Sequence, residues 1–128
     1  MSFTILPASL TPYVHGALRV VTGLLFLEHG TGKILGFPKG LPYLDQMPVG
    51  MLYFTGLMEL VGGILITIGL FTRPVAFILS GFMAAAYFLA HMPMGAFPVL
   101  NGGEPAILYC FVFLFLAAAG PGAFAAEK

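Results

Sequence analysis

The stretch YVHGALRVVTGLLFLEHGTGKIL, residues 13–35, decides the fold of this chain. A helix of this length can cross a bilayer, because about 20 residues rising about 1.5 Å each span a hydrocarbon core of roughly 30 Å. Its second half nevertheless carries Glu28, His29 and Lys33, and such residues inside a membrane usually face the interior of a helical bundle. The stretch therefore predicts a membrane helix that contributes polar side chains to a buried cluster.

The composition of the whole chain is typical of an integral membrane protein. Of its 128 residues, 59% are hydrophobic and 8% are charged, and the mean hydropathy is +1.01. Soluble domains average about 25% charged residues, so this chain cannot build a water-soluble surface of the usual kind. Five basic residues balance five acidic ones, which leaves no basic face, and we expect no nucleic-acid partner. A lone cysteine, Cys110, excludes an internal disulfide.

Four apolar segments predict an all-α fold, a four-transmembrane-helix bundle of a multi-pass membrane protein. The predicted helices cover residues 13–35, 50–70, 75–91 and 105–120, and Gly- and Pro-rich connections separate them. The last two are short, so they would span with little tilt. We expect one membrane domain over residues 1–128, in which the first apolar segment is retained and not cleaved as a signal peptide.

Small residues recur within the predicted helices, and in lipid they let neighbouring helices approach closely. The glycines at these positions are Gly30, Gly32, Gly56, Gly62, Gly63 and Gly81. We interpret them as packing positions, since the chain has neither a Walker pattern nor a GxGxxG loop after a strand.

The few basic residues bear on the orientation in the membrane. Four crossings would place both termini on one side, together with Arg19, Arg73 and Lys128, whereas Lys33 and Lys39 would lie on the other. The positive-inside rule then favours cytoplasmic termini. We interpret Arg19 and Arg73 as topology or lipid-headgroup anchors, with Arg19 extending toward the interface.

The other ionisable side chains of the helices are predicted to gather toward the opposite membrane face. The candidate ligand or proton cluster comprises Glu28, His29, Lys33, Glu59, His91, Asn101 and Glu104. Glu28 and Glu59 fall at nearly the same depth, and Lys33 could neutralise either of them. An intramembrane charge costs about 2.5–3.5 kcal/mol on insertion scales. Because of this cost, we predict that these residues share a pocket that has a function.

Each of these residues also has a structural explanation. Glu28 or Glu59 could form a purely structural ion pair with Lys33, and Lys33 could instead extend to the interface. His91 and Glu104 lie at predicted helix ends, where interfacial residues and helix-start carboxylates are common. The residues alone leave these alternatives open.

The sequence offers little support for a metal or a haem. A di-iron carboxylate bundle needs Glu-x-x-His on two helices, a pattern that this chain lacks, and we expect no metal site. A bis-histidine haem would need His29 and His91 at one depth, whereas their predicted depths differ by roughly 9 Å. Haem is therefore not expected, and no recognisable motif in the sequence encodes a cofactor, so the residues alone leave any cofactor unknown.

Many of these residues belong to one extended pattern. It consists of Arg19, Glu28-His29-Gly30-x2-Lys33, Gly36-Phe37, Glu59-x2-Gly62-Gly63, Gly69-Leu70-x-Thr72-Arg73, His91, Asn101-Gly-Gly-Glu104 and Gly120-Pro121-Gly122. Over almost its whole length the chain resembles the DoxX family of small bacterial membrane proteins. The resemblance implies four membrane helices in the bacterial cytoplasmic (inner) membrane. The final residues 123–128 depart from the Ser-Leu-Asp type of tail that often follows in the family.

The resemblance also suggests a class of activity. Some relatives are described as the small subunit of a thiosulfate:quinone oxidoreductase, and others as partners in membrane assemblies that handle thiol or oxidative stress. We therefore expect a redox-linked accessory subunit whose Glu/His/Lys cluster binds a quinone or a similar small ligand. In that role Glu28 or Glu59 would accept a quinol proton, and His29 or His91 would hold a carbonyl oxygen.

The alternative is a non-catalytic scaffold or assembly subunit of a larger membrane complex. Its polar cluster would then fix the register of the helices instead of performing chemistry. Both functions imply a protein partner or a homo-oligomer within the lipid bilayer. The sequence does not decide whether the chain is an enzyme.

Overall fold

The computed structural model describes residues 2–128, and in that range the secondary structure is helical, with no strand. The main helices are α1 (Thr11–Ile34), α2 (Val49–Ile68), α3 (Thr72–Ala86), α4 (Pro98–Asn101) and α5 (Glu104–Ala119). Short 3-10 turns cover Ala8–Leu10 and Leu44–Gln46, and α3 continues through a π-helical turn, Tyr87–His91, into a 3-10 turn, Met92–Met94.

Three helical stretches are long and apolar enough to cross a membrane. They are Ala8–Ile34, Val49–Ile68 and Thr72–Met94, and α5 is an apolar helix of 16 residues. The prediction that the third segment is short is wrong, because the π and 3-10 turns extend it to 23 residues. The short helix α4 was not predicted, since the prolines and glycines around it indicated a loop.

The first two helices form a close antiparallel pair because glycines face the contact. A Cβ atom on Gly63 would lie 2.7 Å from the Cα atom of Leu27, and one on Gly30 would overlap the backbone of Leu60. The glycines thus let the two backbones approach to a distance that no larger residue permits. The interpretation of Gly81 on α3 as a packing position is wrong, since a Cβ atom there would meet open space.

The other helical pair, α3 and α5, packs against the first through aromatic rings. The buried ring of Phe26 on α1 meets Phe82 on α3 at 6.4 Å between centroids, and Tyr109 and Phe113 on α5 at 5.3 and 5.0 Å, each edge-on. Such edge-on contacts are the preferred geometry for aromatic pairs. Phe26 therefore joins the two helical pairs at the centre of the core.

The interpretation of Arg19 as a lipid-headgroup anchor is wrong. Its side chain is 0% exposed, and Nε donates to the carbonyl of Ile66 at 2.9 Å. The two Nη atoms donate to the carbonyls of Ala123 at 3.0 Å and Phe124 at 2.8 Å, and one of them also donates to that of Pro121. The segment after α5 folds back over the guanidinium, so backbone carbonyls and not lipid headgroups satisfy it.

Further contacts hold this C-terminal tail, residues 120–127, against the helix ends. His15 on α1 hydrogen-bonds the Gly120 carbonyl through Nε2 at 2.8 Å. The backbone amide of Thr72 donates to Oε1 of Glu127 at 2.9 Å, so this carboxylate caps the start of α3. Arg73 is exposed, as a surface anchor would be, and it also donates to the Ala118 carbonyl at 2.5 Å.

The Gly30→Ala substitution should destabilise the protein by about 1–3 kcal/mol or more, because the added methyl group meets backbone that cannot move aside. The Gly81→Ala substitution is the matched control and should change stability by about 0.5 kcal/mol or less. Thermal unfolding of both variants in one detergent measures the difference. Equal effects of the two substitutions would contradict the assigned α1–α2 contact.

Docking of the tail should weaken in acid. The hydroxyl and the backbone amide of Thr72, both beside Glu127, hold the pKa of this carboxyl below its usual value. A carboxyl whose pKa is lower in the folded than in the unfolded protein stabilises the fold at any pH above its unfolded-state pKa. This stabilisation is lost as the pH falls through the folded-state pKa. The melting temperature of the wild type should therefore fall more steeply than that of Glu127→Gln from about pH 6 to about pH 3. Parallel pH profiles would contradict this assignment.

Candidate functional site

A buried ion pair joins α1 and α2. Nζ of Lys33 lies 2.5 Å from Oε1 of Glu59, and the two side chains are 6% and 5% exposed. The pair depends on the close approach of the helices, since a Cβ atom on Gly56 would come within 3.0 Å of the Lys33 Cβ. Of the expected interactions of Lys33, the structure therefore contains the pairing with Glu59.

Two residues that the sequence analysis did not single out complete the surroundings of Lys33. Oγ1 of Thr55 accepts a hydrogen bond from Nζ at 3.0 Å and donates to the Met51 carbonyl at 2.8 Å. The ring of Tyr43, in the loop between α1 and α2, lies 5.5 Å from Nζ in a cation–π arrangement. Burial and the Glu59 carboxylate raise the pKa of Tyr43 to about 12, so its phenol is neutral at physiological pH.

The outer side of the ion pair offers two hydrogen-bonding atoms. Within residues 2–128, Oε2 of Glu59 has no hydrogen-bond donor, and the atom is not fully buried. His29 is half-buried, bonds the Leu25 carbonyl through Nδ1 at 2.9 Å and places its ring edge-on to Tyr109 at 6.3 Å. Gly30, the residue after His29, packs against the backbone of Glu59 and Leu60, which brings His29 and Glu59 to one level of the bundle. His29 thus lies between the level of the ion pair and Tyr109 of α5.

Glu28 does not join this site. It is exposed on the outer surface of α1, and its carboxylate forms no ion pair or hydrogen bond with any residue in the range 2–128. The expectation that Glu28 and Glu59 share a pocket is therefore wrong. Residues 28 and 30 differ by about 200° around a helix, so the packing of Gly30 against α2 turns Glu28 away from the contact.

His91 and Asn101 form a separate cluster at the far end of α3. Nδ1 of His91 bonds the Asn101 carbonyl at 3.1 Å, and the buried Asn101 amide donates to the Tyr87 hydroxyl at 3.1 Å and to the Gly95 carbonyl at 2.9 Å. Glu104 is exposed in the first turn of α5. Across the described part of the chain, no hydrogen bond or ion pair connects this cluster to Lys33 and Glu59, so the predicted convergence of all seven residues is wrong.

Some of the additional site residues had a signal in the sequence. Thr55 precedes Glu59 by four residues, about one helical turn, and residues at this spacing lie on the same face of a helix. Tyr109 and Tyr87 had no such signal, because their positions depend on how α5 and the π-helical turn pack. Over residues 2–128 no group of three or more His, Cys, Asp or Glu side chains is arranged to hold a metal ion.

Removing one member of the ion pair should be costly. The Lys33→Met substitution leaves the Glu59 carboxylate buried without its cation, which should destabilise the fold by about 3–5 kcal/mol. Adding Glu59→Leu should recover at least half of the loss, because the apolar pair needs no charge compensation. Thermal unfolding of both variants measures this, with Lys39→Met in the exposed loop as the neutral control. A double variant as unstable as the single one would contradict the assigned pairing.

Comparisons with known proteins agree with the family resemblance. A sequence model of the DoxX family matches residues 15–92. The chain is 45% identical over 122 residues to an uncharacterized protein of Haemophilus influenzae, across 91% of this chain and 90% of the relative. It is 32% identical over 120 residues to the inner membrane protein YqjF of Escherichia coli, across 86% of each.

A partial relative carries a name that mentions chemistry. The "Putative oxidoreductase CatD" of Bacillus subtilis is 38% identical over 60 residues, which cover 45% of each chain. No solved structure matches this chain. The matched family model, the two nearly full-length relatives and the apolar helices together establish that the chain is a multi-pass membrane protein and belongs to the DoxX family.

Proposed function

We propose that this protein is a redox-linked membrane subunit that binds a quinone, or a similar small lipid-soluble ligand, beside the Lys33–Glu59 pair. The observation that carries the proposal is that Oε2 of Glu59 and Nε2 of His29, at one level of the bundle, have no hydrogen-bond partner within residues 2–128. Burying a charge pair within a bilayer costs desolvation free energy, which favours a functional role for the pair. The oxidoreductase name of CatD supports a link to redox chemistry.

The hydrogen bonding of His29 indicates which form of the ligand it would bind. The Leu25 carbonyl can only accept a hydrogen bond, so Nδ1 carries the proton of a neutral imidazole. Nε2 is then an acceptor, suited to the hydroxyl group of a quinol. Only the protonated imidazolium could donate to the carbonyl oxygen of a quinone, so His29 would favour the reduced ligand when neutral.

Glu59 would supply the second contact. The Lys33 ammonium donates to Oε1 of Glu59 and to Oγ1 of Thr55, so Oε2 is the carboxylate atom left for a ligand hydroxyl or its proton. These side chains would bind the ligand and hold its protons. The electrons would be exchanged with a redox partner protein, in keeping with an accessory subunit.

A lipid-soluble ligand would reach these atoms from the side. His29 and Tyr109 are half-buried where α1 and α5 meet, and the neighbouring residues of α1 are exposed to the hydrocarbon. Lateral entry from the bilayer therefore avoids crossing the aromatic core around Phe26. His91 and Asn101 take no part in this version of the site.

The proposal includes an arrangement in the membrane. We propose that α5 is the fourth crossing, since its 16 residues span about 24 Å and modest local thinning of the bilayer would accommodate them. Both termini would face the cytoplasm, and the relation to YqjF supports a bacterial inner membrane. The whole of residues 1–128 would then form one membrane domain.

A scaffold role is the second candidate, and the glycine contacts of α1 and α2 favour it. The ion pair lies where Gly30 and Gly56 bring the two helices together, so it could serve only to fix their register. In that case the site would need no ligand. Quinone binding therefore distinguishes the two functions.

Purified protein in lipid nanodiscs should bind short-chain ubiquinol or menaquinol saturably in a calorimetric titration. The His29→Leu variant removes the Nε2 acceptor and should weaken binding by about tenfold, the equivalent of one lost hydrogen bond. The His91→Leu variant is the matched control, because His91 also bonds a backbone carbonyl through Nδ1 but lies in the other cluster. Its affinity should equal that of the wild type.

Two results would contradict the quinone proposal. One is the absence of saturable binding by the wild type with either quinol, which would favour the scaffold function. The other is an equal loss of affinity in the His29→Leu and His91→Leu variants, which would place the ligand elsewhere.

A further inference from the structure

The outer face of α1 carries an exposed stripe that ends in a carboxylate. Val14, Leu18, Val21 and Leu25 are 41–56% exposed, and Glu28 continues the series on the same face. The intervals are four, three, four and three residues, the 3.5-residue average of a helix–helix seam. Within residues 2–128 no helix lies along the whole stripe, although Phe115 of α5 borders its Val14–Leu18 end.

Glu28 lies deep in the membrane segment. It is six residues, about 9 Å, from the end of α1 at Ile34. Its neighbour Leu27 packs against Gly63, five residues before the end of α2 at Ile68. Both distances from the helix ends therefore place the backbone of Glu28 within the hydrocarbon layer. An exposed acidic group is costly there.

The chain itself supplies no cation to Glu28. Lys33 is taken by Glu59, and within residues 2–128 no ion pair involves Glu28. Lys39 lies in the loop after α1, and Arg73 lies in the first turn of α3 at the opposite end of the bundle. An ionised Glu28 therefore needs a cation from another molecule, since without one a carboxyl in hydrocarbon takes up a proton instead.

We propose that the stripe from Val14 to Glu28 is the docking surface for a transmembrane helix of a different protein, and that this helix carries a lysine or arginine at the depth of Glu28. The stripe is about 21 Å long, which suits a helix lying along most of the hydrocarbon thickness. Its spacing fits packing at a crossing angle of about 20°. The Glu28 carboxylate provides the charge complementarity.

A cavity at the other end of the stripe supports a helical partner. Its volume is about 300 Å³, and Leu10, Val14, Leu18 and Phe115 contribute to its lining. A bulky apolar side chain of a helix placed on the stripe could enter this cavity. The surface would thus offer an apolar recess at one end and a charge at the other.

The Glu28 carboxylate disfavours two other occupants of this surface, a second copy of the chain and lipid. Two copies of this chain related by a twofold axis along the membrane normal would bring Glu28 against Glu28, and like charges repel. Lipid acyl chains cover apolar side chains but leave a carboxylate unsatisfied. The surface adjoins the quinone site at Leu25, whose carbonyl bonds His29. The two proposals rest on different side chains, Glu28 for the surface and His29 with Glu59 for the ligand, so either can fail without the other.

Photo-crosslinking in the membranes of the native host tests the surface. A benzoylphenylalanine at Leu25 should form an adduct with one other membrane protein, and sequencing of that protein should show a lysine or arginine within a transmembrane segment. A probe at Ile78, 59% exposed on α3, is the control and should not form this adduct. Glu28→Gln should reduce the Leu25 adduct about tenfold while leaving the melting temperature unchanged, because Glu28 has no side-chain partner within the described chain.

A charge exchange completes the test. Glu28→Lys should abolish the adduct, and replacing the partner's cation with glutamate should restore it. The proposal is overturned if the Leu25 probe captures only lipid or a second copy of this chain, if the captured protein has no intramembrane cation, or if Glu28→Gln leaves the adduct undiminished. Quinol titration of Glu28→Gln should be normal, which separates this result from the ligand site.

Discussion

The contact between α1 and α2 is the constraint on which the rest of the structure depends. Gly30 and Gly63 allow the two backbones to meet, and this contact fixes how α1 is turned about its axis. That rotation buries Lys33 against Glu59 and places Glu28 on the outer surface. The α1–α2 contact therefore accounts for two polar features, the buried Lys33–Glu59 ion pair and the exposed Glu28 carboxylate.

The residues of the family pattern divide into two groups with different physical roles. Gly30, Lys33 and Glu59 build the ion pair toward one face, whereas Arg19 and the Gly120-Pro121-Gly122 turn hold the opposite end. The second group works through backbone carbonyls, which every residue of the tail carries whatever its side chain. The Arg19 contacts therefore place few demands on the side chains of residues 121–124, whereas the contact with the Thr72 amide depends on the Glu127 carboxylate.

The sequence predicted the helices well because apolar runs and their proline and glycine boundaries are local signals. It also predicted Lys33 as the neutralising partner of a glutamate. It did not predict which glutamate, because helix rotation depends on a contact between α1 and α2; the 200° offset of Glu28 from Gly30 was the available clue. The burial of Arg19 had no local signal, because its carbonyl partners lie 47 to 105 residues away.

The capture of Arg19 by the tail constrains how the protein is made. The Pro121, Ala123 and Phe124 carbonyls are synthesised more than 100 residues after the guanidinium that they bind. During translation α1 must therefore enter the bilayer before these partners exist, with water or lipid phosphate as the temporary neighbour of its charge. These contacts can form only after residues 121–124 have left the ribosome, which makes the docking of this segment on Arg19 a late step of folding.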